Sequence, residues 1–487
     1  MEKINFNGLV QRGRFNRAVE SKFSRYCKVM SKDNDNVIYD DTVRDLLVEQ
    51  GFDVSDIYEP RSVYTASKLY DALALFGPEL QAQVIKDEHL NAGLSMAFKV
   101  FAKPRELSQH IEPLSGDDLL RSVKMEKSSG LPMLSSKADS YVYSLNRMKQ
   151  ILDGQKSPNP CIAYKRTQAQ NKTRLVWGFP LEMTLMEGAF ARPLTETFLR
   201  RRTCMAFGLK KPTLGAYLNY QVGRHRYKYC LDYSKFDTSI SSYLISKSFE
   251  ILATWFKKED LDKFGWNQVI KYFLTTPIVM PDGCLYTGKR HGVPSGSYFT
   301  QIIDSIVNVI ILGAVSHKFN LKLDWRDIFV LGDDSIFGSD VKIELNEIAE
   351  FVKSHFGVTI NVLKSSCDRL EFLGAIWING LPTIEIDELI KKAIFPESFR
   401  DYRGIGKTNG AKQVLLSLAG QYVSGHALAP RNKRYDYSTV GLEHGTMDLN
   451  PAYMTGSDRY MISEGYGHLL NSMNSKNVIS IPYRMLT

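Results

Sequence analysis

The spacing of apolar positions changes near residue 226, and that change divides the chain. Residues 1–105 carry helical spacing, as in the run from Val63 to Leu73, with a loop expected at Gly77-Pro78. Between 106 and 225, short apolar pieces alternate with breakers at Gly130-Leu131-Pro132, Pro158-Asn159-Pro160, Gly178-Phe179-Pro180 and Pro212. That pattern predicts an irregular wall rather than a regular sheet. From 226 onward the pattern predicts an aromatic-rich strand at 227–233, a helix at 240–257 and a long apolar helix at 301–318 entered after Pro294-Ser295-Gly296. Two apolar runs, 328–331 and 335–337, flank Gly332-Asp333-Asp334 and read as a hairpin whose turn carries two carboxylates. A helix at 344–356 and short strands at 358–362 and 370–378 follow, before a polar, loop-interrupted C-terminal region. No internal repeat or low-complexity tract breaks the series.

Composition narrows the class. With 487 residues, 44% hydrophobic and 24% charged, the chain can bury one or more cores, which excludes a disordered tail or a disulfide-stapled miniprotein. Its length suggests interdependent sub-domains. The six cysteines, Cys27, Cys161, Cys204, Cys230, Cys284 and Cys367, form no Cys-x-x-Cys pair and indicate neither a zinc site nor a disulfide framework. The first residues lack the apolar core of a signal peptide, and the apolar stretch at 302–315 is interrupted by Asp304 and Asn308. A soluble, intracellular protein without a membrane segment is expected.

The charge is informative once it is located. Residues 156–228 hold 14 Lys/Arg against three acids, a local excess of +11 in a chain whose formal net charge is +9. The rest of the chain is therefore slightly acidic. A concentrated basic segment fits a local polyanion contact, although a solvated basic face would have the same composition.

Candidate chemistry lies on the strand, helix and hairpin series. Asp232 ends the predicted strand 101 positions before Asp333, and neighbouring strands lie about 5 Å apart, so these carboxylates could converge. Such a cluster is costly without a cation. Like charges raise one another's pKa, whereas two Mg²⁺ ions would neutralise them and stabilise the attacking and leaving oxygens of phosphoryl transfer. A Gly-Asp-Asp triplet alone is equally a turn in which Asp is chosen for its backbone tolerance. Asp237, five residues after Asp232, and the small-residue loop Gly292-Val293-Pro294-Ser295-Gly296-Ser297-Tyr298-Phe299-Thr300 before a helix add to it.

Taken in order, these segments resemble the motifs of viral RNA-dependent RNA polymerases over roughly residues 125–380. Residues 231–237 resemble motif A, 292–308 motif B, 331–335 motif C, and Lys165-Arg166 through Lys172-Thr173-Arg174 motif F. Residues 356–364, 371–374 and 128–132 resemble motifs D, E and G. The wording Gly-Val-Pro-Ser-Gly-Ser-Tyr-Phe-Thr-Gln at 292–301 is most similar to the picobirnavirus and partitivirus polymerases of small segmented double-stranded RNA viruses, without separating the two. The resemblance implies Asp232, Asp333 and Asp334 as metal ligands for Mg²⁺, with Mn²⁺ as an alternative, and Lys364 as the general acid. For the nucleotide it implies Lys165, Arg166, Lys172, Arg174, Asp237, Ser295, Gly296, Thr300, Asp304 and Asn308. Many relatives carry Asn four residues after the motif B threonine. This chain has Asp304 there, and Asn only at 308, so the partner of Asp237 in reading the ribose is left between the two.

The implied fold is α+β, a closed right-hand polymerase with a ferredoxin-like antiparallel palm and a mostly helical thumb. The expected organisation is an N-terminal bridge at 1–105, fingers at 106–225, palm at 226–258, a fingers insertion at 259–291, palm at 292–385, and thumb with a C-terminal loop at 386–487. Expected partners are RNA template and product, NTPs and a viral capsid protein, in the virion interior and host cytoplasm. Runner-up readings are a catalytically silent polymerase-like protein and a two-metal nuclease or phosphatase. Initiation is expected without a primer, and the stretch 423–466, rich in Tyr, Gly, His and Pro, is either a stacking platform for it or a surface loop.

Overall fold

Hydrophobic residues surround the helix Thr300–Lys318 on every side, and it is accordingly the central helix of the molecule, buried from Ile302 to Ser316. By length and composition it could cross a membrane, yet 83% of its most apolar window is buried inside the protein. His317 and Lys318 in its last turn complement the helix dipole. The computed structural model describes residues 5–209, 211–383, 386–400, 402–403 and 406–423.

Against this helix packs Glu88–Phe101, capped by the Asp87 side chain accepting from the Leu90 amide. Their crossing is unusually close: a β-carbon on Gly93 would lie 2.1 Å from the Ile310 carbonyl oxygen, and one on Gly313 2.8 Å from the Gly93 Cα. Only glycine fits at Gly93.

Beside the central helix lies a three-stranded antiparallel sheet in the order Tyr227–Leu231, Asp334–Ser339, Ile328–Leu331. Leu331 pairs with Asp334, so Gly332 and Asp333 form a two-residue loop and Asp334 is the first residue of its strand, not part of the turn. Gly332 has φ +64°, and glycine at the first position of such a loop suits the tight hairpin type that matches strand twist. The amphipathic helix Leu345–Phe356 packs against the central helix and the short strand Thr359–Ile360, burying Ile348, Phe351, Val352 and Phe356, and Gly357 at φ 71° ends it.

A second sheet has five strands, ordered Val10–Arg14, Cys284–Thr287, Ile278–Val279, Cys161–Gln168, Lys172–Gly178. Here the irregular wall expected for 106–225 is corrected. Residues 161–178 form a regular hairpin with seven paired positions, from Ile162 with Gly178 to Gln168 with Lys172, and the long helix Leu181–Arg200 follows it. The start of the first strand is buried at Cys161, Ile162 and Ala163, which removes the alternation that would have announced a strand. The N-terminal region, read as mostly helical, contributes the edge strand Val10–Arg14 besides its helices. All six cysteines are free thiols.

The chain from Asp387 onward folds back on the N-terminal region. Arg400 donates to the Asp40 carboxylate at 2.7 Å, both side chains being buried, and Tyr402 also donates to Asp40. The expected platform beyond Val423 lies outside the described residues, as does most of the expected thumb.

Candidate active site

Asp232 follows the strand Tyr227–Leu231. Because Leu231 pairs with Ser335, the next residue along lies beside Asp334, and Asp333 sits at the adjoining turn. Three sequence-predicted carboxylates thus meet at one end of one sheet. Burial raises the pKa of each above the usual carboxylate range; for Asp334 the charges of Asp333 and Asp232 add to it, and for Asp333 that of Asp232. Lys364 and Lys172 oppose the rise at Asp232, and Arg174 opposes it at Asp333.

The turn is held by Ser305, which the sequence did not single out, and by Asn308, which it assigned to the nucleotide. Ser305 accepts from the Gly332 amide at 2.9 Å, and the Asn308 amide donates to the carbonyls of Gly332 at 3.1 Å and Asp333 at 3.2 Å. The Asn308 oxygen accepts from the Tyr233 hydroxyl at 3.2 Å. Asn308, expected to read the nucleotide, is fully buried with both ends of its amide committed to the protein. Its observed work is to lock the turn to Tyr233, the residue after Asp232. A serine and an asparagine inside a mostly apolar helix were the signal available for this support.

Asp304 is the one carboxylate of that helix. It is buried, hydrogen-bonded to Asp237, and one of its oxygens, Oδ1, has no partner. Burial raises the pKa of both acids, and the nearby Arg174 counteracts this at Asp237. Lys235, in the left-handed region at φ 54°, turns the chain sharply between Asp232 and Asp237. Of the two residues left open beside Asp237, the structure brings up Asp304.

The basic residues divide. Lys172 and Arg174 lie on one face of their strand and bear on the carboxylates. Lys165 instead sits 3.7 Å from the centre of the Tyr64 ring, and Arg166 pairs with Glu397 at 3.6 Å. Those two tie the hairpin to the N-terminal and C-terminal segments. Lys364 belongs to a turn fastened to Asp232, in which Asn361 donates its amide to the Asp232 carbonyl at 2.7 Å and Ser365 accepts the Asp232 amide at 3.0 Å.

Ser295 and Gly296 press against the strand of Arg174. The Ser295 hydroxyl donates to the Leu175 carbonyl at 3.1 Å, and the Trp177 amide donates to the Ser295 carbonyl at 3.0 Å. A β-carbon on Gly296 would lie 2.3 Å from the Trp177 carbonyl oxygen, and φ is +105°. Thr300 donates to the Pro294 carbonyl at 2.9 Å, closing the loop at the start of the central helix.

Residues 60–380 match the sequence profile of the viral RNA-dependent RNA polymerases. The chain belongs to that family. Among curated relatives, the RNA-directed RNA polymerase of Cryptosporidium parvum virus 1 is 29% identical over 188 residues, covering 37% of this chain and 34% of the relative. That of Atkinsonella hypoxylon virus is 32% identical over 168 residues, 32% of this chain and 25% of the relative. The chain thus aligns with about a third or less of the length of these relatives. The crystal structure of the RNA-dependent RNA polymerase of a human picobirnavirus superposes with a TM-score of 0.67 at 15% identity, covering 98% of this chain and 96% of the other. The fold is therefore the α+β right hand of the viral polymerases.

The polymerase family implies divalent metal ions, and the residues present fit them. Among the described residues no three Asp, Glu, His or Cys side chains form a ready-made ligand cage. Mg²⁺ asks for less, since it is commonly held by one or two carboxylates together with substrate phosphates and waters. Oxygen-only donors at Asp232, Asp333 and Asp334, destabilised as anions by burial and by one another, are the set a hard cation would relieve.

Proposed function

We propose that this chain synthesises RNA on an RNA template from NTPs and so replicates and transcribes a viral RNA genome. The observation that carries the reading is the convergence of Asp232, Asp333 and Asp334 at the palm edge, with Lys172, Arg174 and Lys364 bearing on them. Asp232, Asp333 and Asp334 would hold two Mg²⁺ or Mn²⁺ ions, which supply charge neutralisation at the attacking and leaving oxygens when bound.

The remaining chemistry belongs to the protein. Lys172 and Arg174 receive the triphosphate, drawing its negative charge to the mouth of the palm. Asp237 and Asp304 face the ribose, and the loop at Ser295 and Gly296 closes against the strand of Arg174. The RNA 3′-hydroxyl gives up its proton to solvent as it attacks the α-phosphorus, the bond to the β-phosphate oxygen breaks, and pyrophosphate leaves. Lys364, fastened beside Asp232, donates a proton to that leaving group. On this reading the enzyme begins strands without a primer, works with a capsid protein, and acts in the virion interior and host cytoplasm.

The test uses the purified chain with single-stranded RNA, Mg²⁺ and labelled NTPs. Template-length labelled product that requires all four NTPs is the expected result. Failure to incorporate with either Mg²⁺ or Mn²⁺ would overturn the reading.

A further inference from the structure

Glu187 is a carboxylic acid inside the fold, 1% exposed, on the helix Leu181–Arg200. Its two oxygens point at the loop before the central helix. The Ser297 hydroxyl donates to Oε1 at 2.8 Å, and the Tyr298 amide donates to Oε2 at 2.9 Å. Ser297 in turn accepts from the Phe299 amide at 3.0 Å, so the carboxyl group sets the orientation of a hydroxyl that shapes the loop backbone.

The same helix grips Tyr298 by its ring. Gly188 leaves room for it, since a β-carbon there would lie 3.2 Å from the ring. One turn further on, the Arg192 guanidinium lies 4.9 Å from the ring centre, and the Tyr298 hydroxyl donates to the Ser122 carbonyl at 3.1 Å. On its other flank the loop is bonded to the strand of Arg174 through Ser295. Ser295 and Gly296 are therefore suspended between two fixed supports, of which Glu187 is the polar one on the helix side.

We propose that Glu187 is a positioning residue for nucleotide selection, holding the Ser295–Thr300 loop at the height where it meets the incoming nucleotide. A carboxyl group is suited to the task because one side chain can accept from a hydroxyl and a backbone amide together. Removing it leaves two donors unpaired in a dry site, which lets the loop relax toward other partners. The inference rests on the nucleotide-site reading above and adds a residue that never touches substrate.

Three variants test it in single-nucleotide extension of an annealed primer, with NTP and dNTP in separate reactions. Glu187→Ala is expected to raise the NTP KM and lower the preference for NTP over dNTP, each by about three- to ten-fold, the range one or two lost hydrogen bonds allow. RNA affinity should stay unchanged. Glu187→Gln keeps an acceptor for the Tyr298 amide and should restore most of both values. Ser297→Ala removes the contact from the loop side and should reproduce the loss in part, which keeps the test decisive if Glu187→Ala fails to fold. A purely structural role would reduce the active fraction and thermal stability while leaving KM and sugar preference unmoved. That result, in Glu187→Ala or in Ser297→Ala, would overturn the inference alone. Wild-type protein that incorporates no nucleotide would overturn the proposed function and this inference with it.

Discussion

Asp333 and Asp237 are both acids that burial pushes toward neutrality, but they stand in different company. Asp333 has the Asp232 carboxylate beside it, on a turn whose carbonyls Asn308 holds, a setting that calls for a cation. Asp333→Asn is therefore expected to abolish synthesis, with less than a tenth of wild-type activity remaining, while RNA binding in a filter assay is retained; loss of one ligand charge should cost several kcal/mol of transition-state stabilisation. Asp237 is bonded to Asp304. Asp237→Ala should erode the NTP over dNTP preference more than it lowers the maximal rate with NTPs, because a polar site built for a hydroxyl rejects its absence strongly. Competition between the two sugars at one template position checks this. At Glu187, burial holds the pKa up at about 8 against an ordinary 4.5. Between those values the unfolded chain has lost a proton that the folded one keeps, so this residue's contribution to stability declines as pH rises from 4.5 to 8 and is level above. Glu187→Gln should flatten that part of the pH profile of thermal unfolding.

At the scale of elements, the sequence is most legible where one periodicity runs undisturbed. The central helix, the helix at 345–356 and the hairpin around Gly332 are read within a residue or two of their observed ends, the first as a long apolar run after Pro294-Ser295-Gly296, the other two from a clear period with a glycine at the boundary. The hairpin at 161–178 was hidden because its first strand is buried on both faces at the start and carries Lys165-Arg166 at the end. The helix Leu181–Arg200 was hidden because it is buried all round in its first half, where Glu182, Thr184 and Glu187 break the apolar pattern, and contains Pro193. Site residues were legible where chemistry demands a type, as with Asp232, Asp333 and Arg174. Their supports were not, because Ser305, Tyr233 and Glu187 act through partners more than 25 residues away. Helix contact also yields a prediction of unusual sign. Gly→Ala inside a helix ordinarily adds up to about 1 kcal/mol of stability, yet Gly93→Ala should lose about 1–3 kcal/mol, since its β-carbon meets the Ile310 backbone. Chemical denaturation of the two proteins measures the difference.

For the whole molecule, the separation of contacting partners along the chain matters more than any one contact. The carboxylates, the basic strand and the Lys364 turn come from segments spread between Lys172 and Lys364, and the ion pair between Arg400 and Asp40 joins residues 360 apart. Such closures explain why domain borders blur in the sequence: each unit is finished by chain from another. The same arrangement has a consequence during synthesis on the ribosome. The edge strand Val10–Arg14 is made well before its partner strand Cys284–Thr287, Thr287 being 277 residues beyond Val10. At about 5–20 residues per second, the early strand waits on the order of 14–55 s for a mate. All five of its residues are exposed even in the finished fold, and two of them are arginines, a charge pattern that discourages pairing with a stranger in the interval. A nascent chain carrying Arg12→Val should therefore aggregate more during expression, while the fraction that escapes unfolds at the wild-type temperature.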